Sequence, residues 1–333
     1  MKKQMYTAVV IGCGRIGASF EMEPGRPKPA SHAAAFKHNP RTQLLAVVDA
    51  DEKLAKVAAD YYRVPYYLSA DECLKEMQPD LLSIATPPST HEVLVKLSLK
   101  YNVKGIICEK PLADSEKSGK AILAAIQKSK ATLVVNHQRR FFPLFQKLKK
   151  DIAAGKFGRV QQVTSYYNNG LYNNGTHTID ALRFLLGSEC VWVVGVGNTG
   201  NSAAPQGDQN IDGLLGFENG TVASLQSLDV ETIGIHDFHL LCDKGEVSIT
   251  KYGFRFEYRP KGKSAEFKGV VEIAEKGKVE EDVRSMLAGT TQHLVDCVDG
   301  TAKVGSDAAE GLQTMRVLDA LTKSTKLKKS ITL

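Results

Sequence analysis

The 333-residue chain reads as an α/β protein: a doubly wound parallel sheet at its N-terminal end, then an α+β half around a large, open-faced, mostly antiparallel sheet. Three observations predict this. Short apolar runs alternate with helical patterns over residues 1–137, the rhythm of a parallel sheet covered on both faces. A Gly-x-Gly-x-x-Gly stretch follows the first run. After residue 137 long β-rich runs take over, joined by turn signals at Asn219-Gly220 and Lys244-Gly245.

The elements follow in order. YTAVVI (6–11) is a short apolar strand that runs into GCGRIG (12–17) and the opening of a helix. EMEPGRPKPAS (21–31) holds three prolines and a glycine, which cannot continue a helix, so it reads as an inserted loop. QLLAVVD is the second strand, and EKLAKVAADYY a helix of good formers. PYYLSADECLKEM gives a short strand and a helix. DLLSIAT, HEVLVKLSLKY, VKGIICEKP, SEKSGKAILAAIQKS and ATLVVNH carry the alternation to residue 137. Beyond QRRFFP, the stretch FGRVQQVTSYYN is a strand, and TIDALRFLLG a helix stopped by Gly187. VWVVGVG, GLLGFENGTVASLQSL, DFHLLCDKGEVSIT and GFRFEYRP are strands and hairpins. The tail DAAEGLQTMRVLDALTKS returns to an amphipathic helix. The expected domains are 1–137, binding the cofactor, and 138–333, serving substrate and assembly, with helix 307–323 packing back on the first.

Composition excludes several classes of function. Hydrophobic residues at 43% and charged residues at 24% are ordinary for a soluble globular chain. The net charge of +6 is spread along the sequence rather than gathered in a stripe, so nucleic acid is not the expected partner. No apolar run approaches the ~20 residues needed to span a bilayer, and the basic start enters a strand without a leader-like core. Six scattered cysteines, at 13, 73, 108, 190, 242 and 297, form no metal-ligand spacing. They are expected as buried free thiols in a reducing compartment, which points to a cytoplasmic protein with no metal site.

Gly12, Gly14 and Gly17, with Arg15 and Ile16 between them, stand where a strand meets a helix. Glycines there allow a tight turn and let the backbone approach a pyrophosphate at the helix N-terminus. Asp49 ends the second strand and is placed to accept from the adenosine ribose hydroxyls; the insert accounts for its distance from the glycines. Ala50 and Asp51 follow, with no Arg or Lys at those two positions to receive a 2′-phosphate and a second carboxylate to repel one, so NAD is favoured over NADP.

Further stretches carry a resemblance. These are the Thr86-Pro87-Pro88-Ser89-Thr90-His91 turn after the fourth strand, Glu109-Lys110-Pro111 after the fifth, SHAAAFKHNPRTQLLAVVD, and NGTHTID. Together they resemble the glucose–fructose oxidoreductase/inositol dehydrogenase/rhizopine-catabolism family (Gfo/Idh/MocA), over nearly the whole chain. The resemblance implies an NAD-dependent oxidoreductase of sugars, nucleotide-sugars or inositols, commonly a homodimer or homotetramer. It implies that Lys110 contacts the reacting hydroxyl and the cofactor ribose. Glu109 would help hold the nicotinamide side, the Lys-Pro bond is often cis, and Thr86 and Pro87 lie near the cofactor. His91 fits that turn or an ordinary surface place at the start of the next helix, and the sequence does not choose.

The stretch LYNNGTHTID (171–180) holds the other candidate. Ile179, Leu182, Leu185 and Leu186 make an aliphatic stripe from which His177 falls away, while Asn173, Asn174 and Thr176 are good helix-start residues. In the resemblance His177 matches the acid/base histidine and Asp180 a second acidic position, whereas Asn173 stands where the family usually has Asp. An amide takes no proton, so proton transfer concentrates on His177, whose type titrates near neutrality. Asn173 and Tyr172 would position the sugar. Arg139 and Arg140, before the next helix, suit either an anionic substrate group or an ordinary surface. Two further readings stay open: a lyase or hydrolase that oxidises its sugar transiently and retains its NAD, and a non-catalytic NAD-binding sensor.

Overall fold

A computed structural model describes residues 4–198, 200 and 203–333. The chain forms two compact units. One comprises the chain up to Phe141 together with Arg284–Gln313, the other Phe142–Val283 and Thr314–Leu333. The division differs from a single boundary near residue 137, because the chain re-enters the first unit over Arg284–Gln313.

In the first unit, strands β1 (Tyr6–Ile11), β2 (Thr42–Val48), β3 (Tyr66–Tyr67), β4 (Leu81–Ile84), β5 (Gly105–Cys108) and β6 (Thr132–Val135) form one six-stranded sheet. Its order is β3-β2-β1-β4-β5-β6 and the pairings are parallel, the doubly wound arrangement expected. β4 and β5 are buried along their whole length, which is why they read as continuous apolar runs. The connecting helices are α1 (His32–His38), α2 (Glu52–Tyr62), α3 (Ala70–Met77), α4 (His91–Lys100) and α5 (Glu116–Gln127). Ser31, Asp51, Ser69 and Ser115 cap four of them by accepting first-turn N–H groups.

The second unit begins with α6 (Pro143–Ala153), β7 (Val160–Asn168) and α7 (Thr176–Leu186). Then come β8 (Cys190–Gly197), β9 (Ile211–Phe217), β10 (Val222–Leu228), β11 (Asp237–Cys242), β12 (Gly245–Thr250), β13 (Arg255–Lys263), β14 (Val271–Ile273) and β15 (Lys278–Glu281). Helices α8 (Met286–Val298) and α9 (Ala308–Leu327) and the short strand β16 (Ile331–Thr332) complete the chain. The ten-stranded sheet runs β14-β13-β12-β11-β7-β10-β9-β8-β16, with β15 paired to β13. It is antiparallel except where β10 lies parallel to β7. The Asn219-Gly220 and Lys244-Gly245 turns join β9 to β10 and β11 to β12 as the sequence predicts. Phe145 of α6 fixes that helix by edge-on contacts with Phe238 and Phe256, at ring separations of 6.3 and 5.1 Å.

α8 belongs to the first unit because Gly105 of β5 lets it come close. A Cβ at Gly105 would lie 2.8 Å from Val298 and 3.0 Å from Leu294. Glycines do the same for α9 in the second unit: a Cβ at Gly195 would meet the Leu321 carbonyl oxygen at 2.7 Å. α9 crosses the division between Gln313 and Thr314. All six cysteines are free and buried. Among the described residues no helix is long and apolar enough to cross a membrane, and no cluster of His, Cys, Asp or Glu is arranged for a metal ion.

Candidate active site

The glycine-rich turn of the first unit has the geometry its sequence calls for. Gly12 sits at φ +100°, and a Cβ there would fall 2.4 Å from the Ala85 carbonyl oxygen. A Cβ at Gly17 would fall 1.9 Å from the Gly12 oxygen, so neither position admits a side chain. A Cβ at Gly14 would meet nothing within 4 Å, which leaves its backbone open for close approach. Asp49, at the end of β2, closes the turn by accepting from the Cys13 N–H at 2.7 Å and from the Asp51 N–H at 2.9 Å. This donor and acceptor set fits a dinucleotide.

The helix expected directly after this turn is interrupted. Ala18 N–H bonds to Gly14 at 2.9 Å, and a short 3-10 turn at Ser19–Met22 follows before the insert. The helix resumes at α1, where His32 N–H donates to Ile16 at 2.9 Å and Ala33 N–H to Gly17 at 3.0 Å. These bonds span sixteen residues instead of four, and they satisfy first-turn donors that α1 would otherwise leave open. The insert is tied to itself. Lys28 donates to the carbonyls of Glu21 and Glu23, Ala30 N–H to the Glu21 carboxylate, and Arg26 pairs with Glu23. The guanidinium groups of Arg15 and Arg26 lie 4.5 and 3.7 Å from the centre of the Phe20 ring.

At the ends of β4 and β5 the expected residues take separate roles. Thr86 Oγ1 bonds Thr90 Oγ1 at 2.7 Å. Pro87 leads into the 3-10 turn Pro88–Thr90. His91 is fully buried, with one ring nitrogen 2.9 Å from the Thr86 oxygen and the other 3.1 Å from that of Leu112. That removes the surface reading of His91 and makes it the brace of the turn. The Lys110-Pro111 bond is cis, and Lys110 is half-buried.

Glu109 is buried and received from two sides. His32 Nε2 lies 2.9 Å from Oε1, Asn136 Nδ2 donates to the same oxygen at 2.5 Å, and the Lys110 N–H donates to Oε2 at 3.2 Å. Burial pushes this carboxyl up, but the His32 bond and charge, then Lys110 and Asn136, outweigh it and hold it at about 2. The ionised carboxylate only accepts, so Nε2 is the donor. Asn136 is fixed in turn by Thr290, which donates to its Oδ1 at 3.0 Å. Sequence reasoning missed His32 and Asn136. The available signals were a histidine at the helix restart and an asparagine at the C-terminal end of a parallel strand.

The second unit presents Leu171–Gly175 as a single π-helical turn leading into α7. Such turns occur often at functional sites. The amides do not cap the helix, because α7 has no side-chain cap. Asn173 Nδ2 donates back to the Asn169 oxygen at 3.0 Å. Asp208 does the capping from the loop before β9, accepting from the N–H groups of Tyr172 at 3.1 Å and Asn173 at 2.9 Å. Gly170, at φ +92°, leaves room for it; a Cβ there would sit 2.2 Å from Oδ2. The Tyr172 hydroxyl donates to Asp319 at 2.7 Å; burial first, then that carboxylate, pushes it well above the usual phenol range.

α7 is buried nearly all round, not along one stripe. His177 is 9% exposed and Asp180 1%. Asp180 accepts from Thr314 Oγ1 at 3.3 Å and lies 4.0 Å from the Arg183 guanidinium, which grips Glu189 with two bonds of 2.7 and 2.8 Å. This network anchors the helix. Arg139 and Arg140 are both buried, and not surface residues. Arg140 donates to Glu310 at 2.8 Å and to the Gly305 carbonyl at 3.0 Å.

A family model described as an oxidoreductase family with an NAD-binding Rossmann fold matches residues 6–137. One described as the C-terminal α/β domain of an oxidoreductase family matches residues 170–333. Inositol 2-dehydrogenase of Rhizobium meliloti is 32% identical over 199 residues, 55% of this chain and 56% of that enzyme. The crystal structure of aldose-aldose oxidoreductase from Caulobacter crescentus superposes with a TM-score of 0.81 at 18% identity, covering 99% of this chain and 100% of that one. WlbA dehydrogenase from Bordetella pertussis, in complex with NADH and UDP-GlcNAcA, gives 0.77 at 21% identity and 99% of each chain.

Proposed function

The chain belongs to the Gfo/Idh/MocA oxidoreductase family, with an NAD-binding Rossmann unit, and from that premise we propose that it transfers hydride between NAD and a secondary alcohol on a sugar or cyclitol ring. The observation that carries this reading is the Glu109-Lys110 turn, where a buried, ionised carboxylate backs a half-buried lysine at the C-terminal end of β5. Bound NAD supplies the hydride acceptor.

The chain's own residues bind the alcohol and move its proton. Lys110 donates a hydrogen bond to the reacting oxygen, where alkoxide-like charge develops. His177 takes the hydroxyl proton and returns it in the reverse direction. Asn173 orients a ring hydroxyl. Asp180 acts one step back, by anchoring the helix that carries His177. Arg140 is committed to Glu310 and Gly305, so it is not offered to a diphosphate. That favours an uncharged ring, a free aldose or an inositol, over a nucleotide-sugar. The protein works as a homo-oligomer in the cytoplasm on this reading.

The test is a screen of inositols, free aldoses and nucleotide-sugars with NAD and with NADH, following absorbance of the reduced cofactor. At least one uncharged ring alcohol should give steady NADH formation. Lys110→Met should lower kcat by about 100-fold or more while NAD still binds, and His177→Ala by a similar factor. Clear NAD binding with no redox change on any compound would defeat the reading, as would a Lys110→Met variant that turns over normally.

A further inference from the structure

Resting on that reading of Lys110, we propose that His32 is a positioning residue: it fixes the Glu109 carboxylate, and through it the presentation of Lys110, and couples both to the dinucleotide turn. Three consecutive bonds make the connection. The His32 N–H donates to Ile16, inside the glycine-rich stretch, at 2.9 Å. Its Nε2 donates to Glu109 Oε1 at 2.9 Å, and Glu109 Oε2 receives the Lys110 N–H at 3.2 Å. The path from the turn that faces the cofactor to the turn that carries the lysine therefore runs through two side chains, His32 and Glu109.

The Glu109 carboxylate cannot choose another orientation cheaply. His32 and Asn136 share Oε1, Asn136 is held by Thr290, and all of these side chains are buried. A side chain locked by such partners holds its neighbour's geometry more narrowly than one facing water.

The other ring nitrogen of His32, Nδ1, is buried with no hydrogen-bond partner. A buried polar atom left in this way is a cost that leucine, of similar volume, would not carry. Packing does not account for a histidine here; the bond from Nε2 does. The position is also local to the insert, since Ser31 ends that loop and caps α1. The helix restart therefore places His32 by its main-chain bond to Ile16, with the Ser31 cap beside it.

The test uses the full chain without substrate. Competitive labelling with acetic anhydride, read by mass spectrometry, gives the reactivity of Lys110 relative to exposed Lys323 in the same molecule. In His32→Leu this ratio and its pH profile should change at least threefold, and His32→Gln, which still offers an N–H at similar reach, should restore most of it. A residue that only packs would alter stability and leave the ratio and profile of folded molecules unchanged; that result overturns the proposal. If the leucine variant does not fold, His32→Gln is compared with His32→Asn, one methylene shorter. A threefold difference supports the role, and equal ratios overturn it. Failure of the Lys110 reading itself shows in turnover of Lys110→Met, which this labelling does not use, so the two failures are separable.

Discussion

Glu109 shows what a single side chain can do when its surroundings are assembled from afar. A carboxyl sealed from water ordinarily becomes a weaker acid; this one becomes stronger, at about 2, because His32 and Lys110 over-compensate for burial. Its folded value lies below the ordinary 4.5, so the ionised form contributes stability above that pH, and the contribution is lost as pH falls from 4.5 towards 2. The advantage of wild type over Glu109→Gln in urea midpoint should therefore be constant near neutrality and shrink through that window. A gap that stays flat through it would contradict the assignment. Glu109, Lys110 and the three glycines were legible in the sequence because each sits in a local motif. Their partners were not: His32 is 77 residues from Glu109 and Asn136 is 27. Contacts at those separations come from strand order, which no local pattern encodes.

Elements show the same limit in another form. The asparagines before α7 have the chemistry of caps, and the turn uses them otherwise because a carboxylate arriving from 35 and 36 residues later takes the N–H groups. Asp208→Ala should cost about 1.5–3 kcal/mol, the range for hydrogen bonds to a charged group, with Asp208→Asn recovering part of it. Urea unfolding measures this, and a change under about 0.5 kcal/mol would show that the turn holds itself. α7 was legible in extent, down to its stop at Gly187, whose φ is +57°. Its burial was not, because Asp180 and Arg183 look solvent-facing until their partners Glu189 and Thr314 are known. α6 was read only as a helix after Arg139 and Arg140, and α8 (Met286–Val298) went unread because it follows a β-rich stretch without a strong boundary signal.

For the molecule as a whole, the alternation of runs to residue 137 was enough to give a parallel, doubly wound sheet, while the order of its strands came only with the structure. The sequence suggested a return to the first unit only for helix 307–323; that the chain re-enters it from Arg284 was not legible, because no composition change accompanies that point. Cofactor binding to the folded chain should raise its thermal midpoint. At a concentration 100 times Kd, NAD adds about 2.7 kcal/mol. NADP at the same concentration should raise it less, because the Asp49 carboxylate at the end of β2 repels a 2′-phosphate. Equal shifts from the two cofactors, measured by scanning calorimetry, would remove Asp49 as the discriminator.

The sixteen-residue bonds from α1 to the glycine-rich turn have one more implication. Residues 18–31 form a detour whose entrance and exit are already fastened together by the main chain. Lengthening or rewriting the middle of the detour leaves the helical register on either side in place, whereas its ends, Ala18 and Ser31, both bonded to Tyr62, belong to the scaffold. Among the elements of the first unit, it is the one where new specificity can be written without disturbing the scaffold that carries Lys110.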